Sequence, residues 1–248
     1  GTKDQKHQLD EVKLEDAIKK YHVGSILNVY DIANTVDYWH EVINKIQNIA
    51  VKETRLGIPV LYGIDAIHGA TYTKGATLFP QAISMAATWN TEIAKQSGEI
   101  TSLETKASGI AWNYYPVMDI GRQPLWSRLW ETFGEDVYLA SQMGSSNVKG
   151  AQGDDMSAPN KLATCLKHYV GYSFPINGLD RTPAWISERM MREYFLPTFE
   201  AGILAGSPSV MVNSAEVDGI PGHANYHLLT EVLRNELNFK GLVVSDWE

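Results

Sequence analysis

Short apolar runs of strand length alternate with longer runs of helical periodicity along almost the whole of this 248-residue chain. Ser25–Val29 is a short apolar strand, and Asp31–Glu53 follows with Ile32, Val36, Trp39, Val42, Ile43, Ile46 and Ile49 at helical spacing. Pro59–Ala66 predicts a second strand, and Thr91–Gly109 a helix with Thr91 as its N-cap. Ala111–Ile120 is the third strand, with a helix around Asp136–Gln152 after it. Ala163–Gly171 is the fourth, and a helix over Ser187–Gly206 follows with Ser187 as its cap. Ser209–Ala215, a helix over His227–Asn238, and Leu242–Asp246 complete six strands. Strict alternation of this kind implies a parallel sheet with helices packed outside it.

Two architectures satisfy that pattern, an open doubly wound sheet and a closed barrel. The polar residues separate them. Strand two ends in Asp65 with His68 just beyond, and strand three in Asp119 with Arg122 and Arg128 in the next loop. Strand four carries Lys167 and His168, strand five leads to Ser214 and Glu216, and strand six ends in Asp246 and Trp247. A barrel gathers all of these strand ends around one mouth, where barrel enzymes keep their active sites. An open sheet would string them along an edge. The expectation is therefore an α/β fold of the (β/α)8 TIM-like type, of which about six strands are visible where a closed barrel needs eight. No repeat or linker divides the chain.

The net charge of −8 and the absence of a basic run exclude a nucleic-acid binder. Cys165 is the only cysteine, so no intrachain disulfide or cysteine metal cluster is expected. No apolar stretch is long enough to span a bilayer. Neither a phosphate-binding glycine loop nor a metal-ligand spacing is present, and no cofactor or metal is expected. Carboxylates, Lys, Arg and Trp at converging strand ends suit a polyhydroxylated ligand: the charged groups bond hydroxyls and the indole stacks on the ring.

The stretches GIPVLYGIDAIHGA (Gly57–Ala70), GATLFPQAISMAATWN (Gly75–Asn90), PVMDIGRQPLWSRLWETFGED (Pro116–Asp136), KHYVGY (Lys167–Tyr172) and GLVVSDWE (Gly241–Glu248) resemble the barrel of glycoside hydrolase family 3. Within it, GLDRTPAWI (Gly178–Ile186) is similar to a segment of bacterial β-glucosidases. The resemblance implies a retaining, exo-acting β-glucosidase acting on an oligosaccharide or β-glucoside. It implies Asp246 as nucleophile, Asp65, Arg128, Lys167 and His168 as sugar-binding residues, and Trp247 beside the leaving group. It also implies a C-terminal α/β sandwich domain that supplies the general acid, and hence residues beyond Glu248. A periplasmic or secreted setting is expected.

Alternatives stand beside these assignments. A β-xylosidase or arabinosidase would use the same scaffold, and a non-catalytic sugar-binding fragment would lack the acid. Arg128 has a structural option in pairing with Glu131 or Glu135, and Asp65 in capping a helix. Arg122 and His68 are expected to buttress loops, and Asp119 to support the site from behind. Glu216 lies either at the rim or in a solvent-exposed loop. Ser214 stands where many plant members have a Tyr.

Overall fold

The computed structural model describes residues 9–28 and 32–247. Its six parallel strands are β1 (Ser25–Leu27), β2 (Leu61–Ile64), β3 (Trp112–Asn113), β4 (Ala163–Tyr169), β5 (Ser209–Val212) and β8 (Leu242–Ser245). They pair in chain order, β1-β2-β3-β4-β5-β8, and a separate antiparallel hairpin is formed by β6 (Glu216–Val217) and β7 (Ile220–Pro221). Each neighbouring pair in the large sheet is parallel, as the alternation of strands and helices predicts.

The sheet is curled into a half-barrel, and its concave side shows why. Leu27 of β1 and Val244 of β8 pack on one cluster with Trp112, Tyr114, Cys165, Met211 and Trp247. Six flat strands would hold the two outermost ones roughly 24 Å apart. Curvature instead brings Tyr114, after β3, and Trp247, after β8, to 5.7 Å between ring centroids, and among the described residues no helix contributes to this cluster. Trp112 Nε1 donates to Ser209 Oγ at 2.8 Å across it. Interior and exterior residues alternate along each strand: Cys165 and Met211 face inward, while Leu166 and Val210 join the outer core.

That outer core is made by the helices. Val36–Lys52 lays Trp39, Ile43 and Ile46 on Val60, Tyr62 and Ile64. Thr91–Ala107, Val137–Gln152 and Leu196–Leu204 bury Ala94, Met143, Val148 and Phe199 against Leu166 and Val210. Helix Glu188–Met190 runs without a break in helical dihedrals through Met191–Phe195 into Leu196–Leu204.

Several boundaries differ from the sequence expectation, each for a local reason. A helix not expected from the sequence, Glu11–Glu15, precedes β1, and the helix after β1 begins at Val36, not Asp31, because Thr35 caps it by accepting from Tyr38 N at 3.2 Å; Val29 and Asp31 lie outside the described residues. Asn90, not Thr91, caps the next helix, its carboxamide accepting from Glu92 N at 3.0 Å. Ser187 caps its helix as expected, accepting from Met190 N at 3.3 Å. The third strand is regular only at Trp112–Asn113. Beyond Tyr115, Pro116 has no N–H to give a ladder, and the contact with β4 continues as single bonds, Lys167 N to Pro116 O at 3.2 Å and Met118 N to Lys167 O at 2.7 Å. The hairpin β6–β7 was not anticipated, although its Asp218-Gly219 turn, with φ of +51° and +79°, is a strong hairpin signal.

Helices Thr91–Ala107 and Val137–Gln152 approach almost backbone to backbone. A Cβ on Gly150 would lie 2.0 Å from Lys95 O, and one on Gly98 would lie 2.5 Å from Asn147 O. Neither obstacle is a side chain that can swing away. Gly150→Ala should therefore destabilise the full-length protein by about 1–3 kcal/mol or more, whereas Gly24→Ala, with nothing within 4 Å of the new methyl, should change stability by less than about 0.5 kcal/mol. Thermal unfolding midpoints of the two variants check the contrast.

Candidate active site

The C-terminal ends of the strands open on a cleft of about 310 Å³ lined by Asp65, Ile67, Arg128, Glu131, Lys167, His168, Asp180, Arg181, Asp246 and Trp247. All six residues assigned to the site by sequence thus converge on it. Among the described residues no cluster of His, Cys, Asp and Glu suits a metal ion, and no helix is long and apolar enough to cross a membrane.

Asp65 follows β2 directly and takes an ion pair from Lys167 Nζ, whose own side chain is almost fully buried on β4. Burial of an ammonium is tolerable only with a partner of opposite charge, and this pair ties two strand ends together. The next residue, His168, is also buried, and the Lys167–His168 peptide is cis. Both ring nitrogens of His168 are engaged. Nδ1 lies 2.8 Å from Asp119 Oδ2, and Nε2 lies 3.1 Å from Arg128 Nη2. Arg can only donate, so Nε2 is the acceptor and Nδ1 carries the proton toward Asp119. Burial, then the positive charges of Arg128, Lys167 and Arg181, hold the imidazole pKa well below its ordinary value. The ring is neutral.

Asp119 is buried behind this ring and does not reach the cleft. Its Oδ2 also accepts from His168 N at 2.9 Å, which fits the supporting position expected for it. Burial pushes its carboxyl up to about 7, against the bond from His168 N and the charge of nearby Arg128. Arg128 itself realises both sequence options. It makes a bidentate pair with Glu131, Nε to Oε1 at 2.9 Å and Nη2 to Oε2 at 2.8 Å, and it still lines the cleft. Burial works against its charge, but the Glu131 pairing outweighs this and raises the guanidinium pKa.

Asp246 follows β8 and is buried. Its Oδ1 accepts from Trp247 N at 2.9 Å, while Oδ2 has no hydrogen-bond partner among the described residues. The Trp247 ring leans on Tyr114, centroids 5.7 Å apart. Cys165 is no rival nucleophile, because burial first of all pushes its thiol up to about 12.

The weaker candidates fall outside the cleft. His68 Nδ1 contacts Phe79 O at 3.1 Å, and Arg122 sits 4.1 Å over the Tyr194 ring, so both brace loops. Glu216 is in the β6 hairpin and is not among the cleft residues. Four lining residues lay outside those assignments: Ile67 and Glu131, beside Asp65 and Arg128, and two charged residues from elsewhere in the chain, Asp180 and Arg181. The last two lie on a loop that no strand or helix periodicity announces; only the GLDRTPAWI resemblance touched that stretch.

The model of the glycosyl hydrolase family 3 N terminal domain matches residues 3–248. The chain belongs to glycosyl hydrolase family 3. A family relative named lysosomal beta glucosidase, from Dictyostelium discoideum, is 47% identical over 97% of this chain and 31% of its own length. A beta-xylosidase from Formosa agariphila is 36% identical over 83% of the chain and 30% of its own. The solved exo-1,3/1,4-beta-glucanase from a Pseudoalteromonas species superposes with a TM-score of 0.88 at 32% identity, over 96% of this chain and 31% of that one. The chain thus spans about a third of the length of the family relatives it matches.

The Asp119–His168 pair yields a pH prediction. A carboxyl raised from 3.8 to about 7 stabilises the folded state fully at low pH, and that stability is lost as pH rises through the folded value. Asp119→Asn does not titrate, while His168, which acts in the opposite sense below its ordinary value, is common to both proteins. The unfolding midpoint of Asp119→Asn should therefore gain on that of wild type as pH rises from about 4 to about 7, and the gap should hold level above that. Thermal melts of the full-length proteins across that range measure the gap.

Proposed function

We propose that this domain provides the nucleophile and the glucose-binding surface of a retaining, exo-acting β-glucosidase. The observation that carries the proposal is Asp246 Oδ2: a buried carboxylate oxygen without a hydrogen-bond partner among the described residues, in a cleft whose other acids are all engaged. Asp65 faces Lys167, Glu131 is clamped by Arg128, and Asp180 accepts from Trp126 Nε1 at 2.9 Å.

In this reaction Asp246 Oδ2 donates an electron pair to the anomeric carbon from the face opposite the aglycone. The glycosidic bond breaks, its electron pair leaves with the oxygen, and a general acid protonates that oxygen. Water then displaces the carboxylate from the glycosyl-aspartate, giving retention. Asp65, Arg128, Lys167 and His168 hold ring hydroxyls, and Trp247 borders the leaving group. Retaining enzymes place the acid about 5 Å from the nucleophile. With the cleft acids of this domain already engaged, the acid is assigned to a C-terminal α/β sandwich domain of the whole protein, in keeping with the greater length of the relatives.

Glucose is favoured by the Dictyostelium and Pseudoalteromonas proteins, which are named as a beta glucosidase and an exo-1,3/1,4-beta-glucanase. A β-xylosidase is the second reading, supported by the Formosa relative; contact with a C6 hydroxymethyl group separates the two sugars. A periplasmic or secreted setting belongs to the same proposal, and the lysosomal name of one relative is likewise non-cytosolic.

The test is trapping of the full-length protein with a 2-deoxy-2-fluoro-glucoside and peptide mapping by mass spectrometry. The label should sit on Asp246. Asp246→Ala should lower turnover of aryl β-glucosides by several powers of ten, and azide should restore part of it with an α-glucosyl azide as product. A label on any other residue removes the assignment, and a xyloside preferred over the glucoside moves the reading to xylosidase.

A further inference from the structure

Arg181 has no part in the roles assigned above, yet its loop is built to hold it in one place. Pro175 and Ala184 pair antiparallel, and Ile176 N donates to Pro183 O at 3.0 Å. Inside the loop, Asn177 Oδ1 accepts from Leu179 N at 2.9 Å and from Thr182 Oγ1 at 2.6 Å. Ala184 is stitched in turn to the β6 hairpin, its N–H donating to Glu216 O at 3.0 Å and its carbonyl accepting from Asp218 N at 2.9 Å. Arg181 sits in this frame at a φ of +56°, a left-handed conformation that disfavours any residue with a Cβ. Backbone strain of this kind persists where the surroundings over-determine it, and it clusters at functional sites.

What the conformation delivers is a guanidinium beside the nucleophile. Arg181 Nη1 donates to Ser214 Oγ at 3.1 Å and to Trp247 O at 3.1 Å. The same nitrogen stands 3.9 Å from Asp246 Oδ2, and Nε stands 4.0 Å from Asp180 Oδ2. Among the described residues it is the only cation within 4.0 Å of Asp246. The separation matters. A guanidinium bonded directly to Oδ2 would occupy the lone pair that must reach the anomeric carbon. At 3.9 Å its charge acts on the carboxylate while Oδ2 is left without a hydrogen-bond partner. Its hydrogen bonds go instead to the residue after the nucleophile and to the segment following β5, the strand that pairs with β8.

We propose that Arg181 is the positioning residue of the nucleophile, fixing Asp246 through the Trp247 carbonyl and Ser214 hydroxyl while leaving Oδ2 free to bond carbon. The proposal rests on the reading of Asp246 as nucleophile. Ser214 gains a purpose from it: where plant members of the family carry a Tyr, this chain has a small hydroxyl that the guanidinium reaches.

The experiment uses full-length wild type, Arg181→Ala and Arg181→Lys with an aryl β-glucoside, and the 2-fluoro trapping rate as a second readout. Arg181→Ala should lose about 100-fold in kcat, the scale of a misplaced reacting group, with KM changed by less than about threefold. Trapping should slow in parallel. Added guanidinium should restore at least about tenfold of kcat in Arg181→Ala and nothing in Asp246→Ala, and Arg181→Lys should retain an intermediate rate. A merely structural role would lower the unfolding midpoint and would not answer to guanidinium. The proposal is overturned if Arg181→Ala keeps kcat within about threefold of wild type, or if its loss is not rescued by guanidinium. Wild type labelled at Asp246 together with either result sinks only the role of Arg181, whereas a wild-type label elsewhere sinks the nucleophile assignment as well.

Discussion

The mouth of the half-barrel is organised around a single uncharged imidazole. His168 receives a hydrogen bond from Arg128 on one side and gives one to Asp119 on the other. Through it, the segments that follow β3 are fixed to β4, and Glu131 then holds the far side of Arg128. Were the ring protonated, Nε2 would become a second donor facing a guanidinium, and the chain of bonds would break at its centre. Burial and the surrounding cations that keep it neutral are therefore what allow Arg128 to stay where it lines the cleft.

The charges of the cleft follow the same economy. Asp65, Glu131, Asp180 and Asp246 face Lys167, Arg128 and Arg181, a near balance that makes partial burial of so many ions tolerable. The pairing is unequal in kind. Glu131 is grasped by two hydrogen bonds and Asp65 by one, while Asp246 meets its cation only at 3.9 Å. Asp180 resembles Asp246 in this, its nearest cation standing at 4.0 Å, so the two loosely paired acids share Arg181 while the tightly paired ones each have a cation of their own.

How much of this was legible in the residues depends on how local the cause is. The parallel sheet and the convergence of Asp65, Arg128, Lys167, His168, Asp246 and Trp247 follow from apolar periodicity and from which polar residue ends each run. Ser187 could be read as a cap because its hydroxyl acts three residues away. Thr91 could not be separated from Asn90, since both are good caps and only the backbone angles distinguish them. The third strand looked ten residues long because apolar character persists past Tyr115, whereas pairing fails where Pro116 withholds its N–H. Asp180 and Arg181 were invisible for a different reason. Their place in the cleft is set by bonds to Trp126, Ser214 and Trp247, 33 to 66 residues away, which no local pattern encodes.

That the spatial order of the strands repeats their order in the chain has a consequence for synthesis on the ribosome. Each new strand finds its parallel neighbour already made, so the sheet can lengthen from one side as the polypeptide emerges, with contacts of modest sequence separation. The cleft assembles on the same schedule: Asp65 comes first, Lys167 then neutralises it, and Asp246 is added only when β8 docks on β5. A growing chain therefore carries Asp65 and Lys167, already paired, before it carries Asp246, whose nearest described cation stands 3.9 Å away.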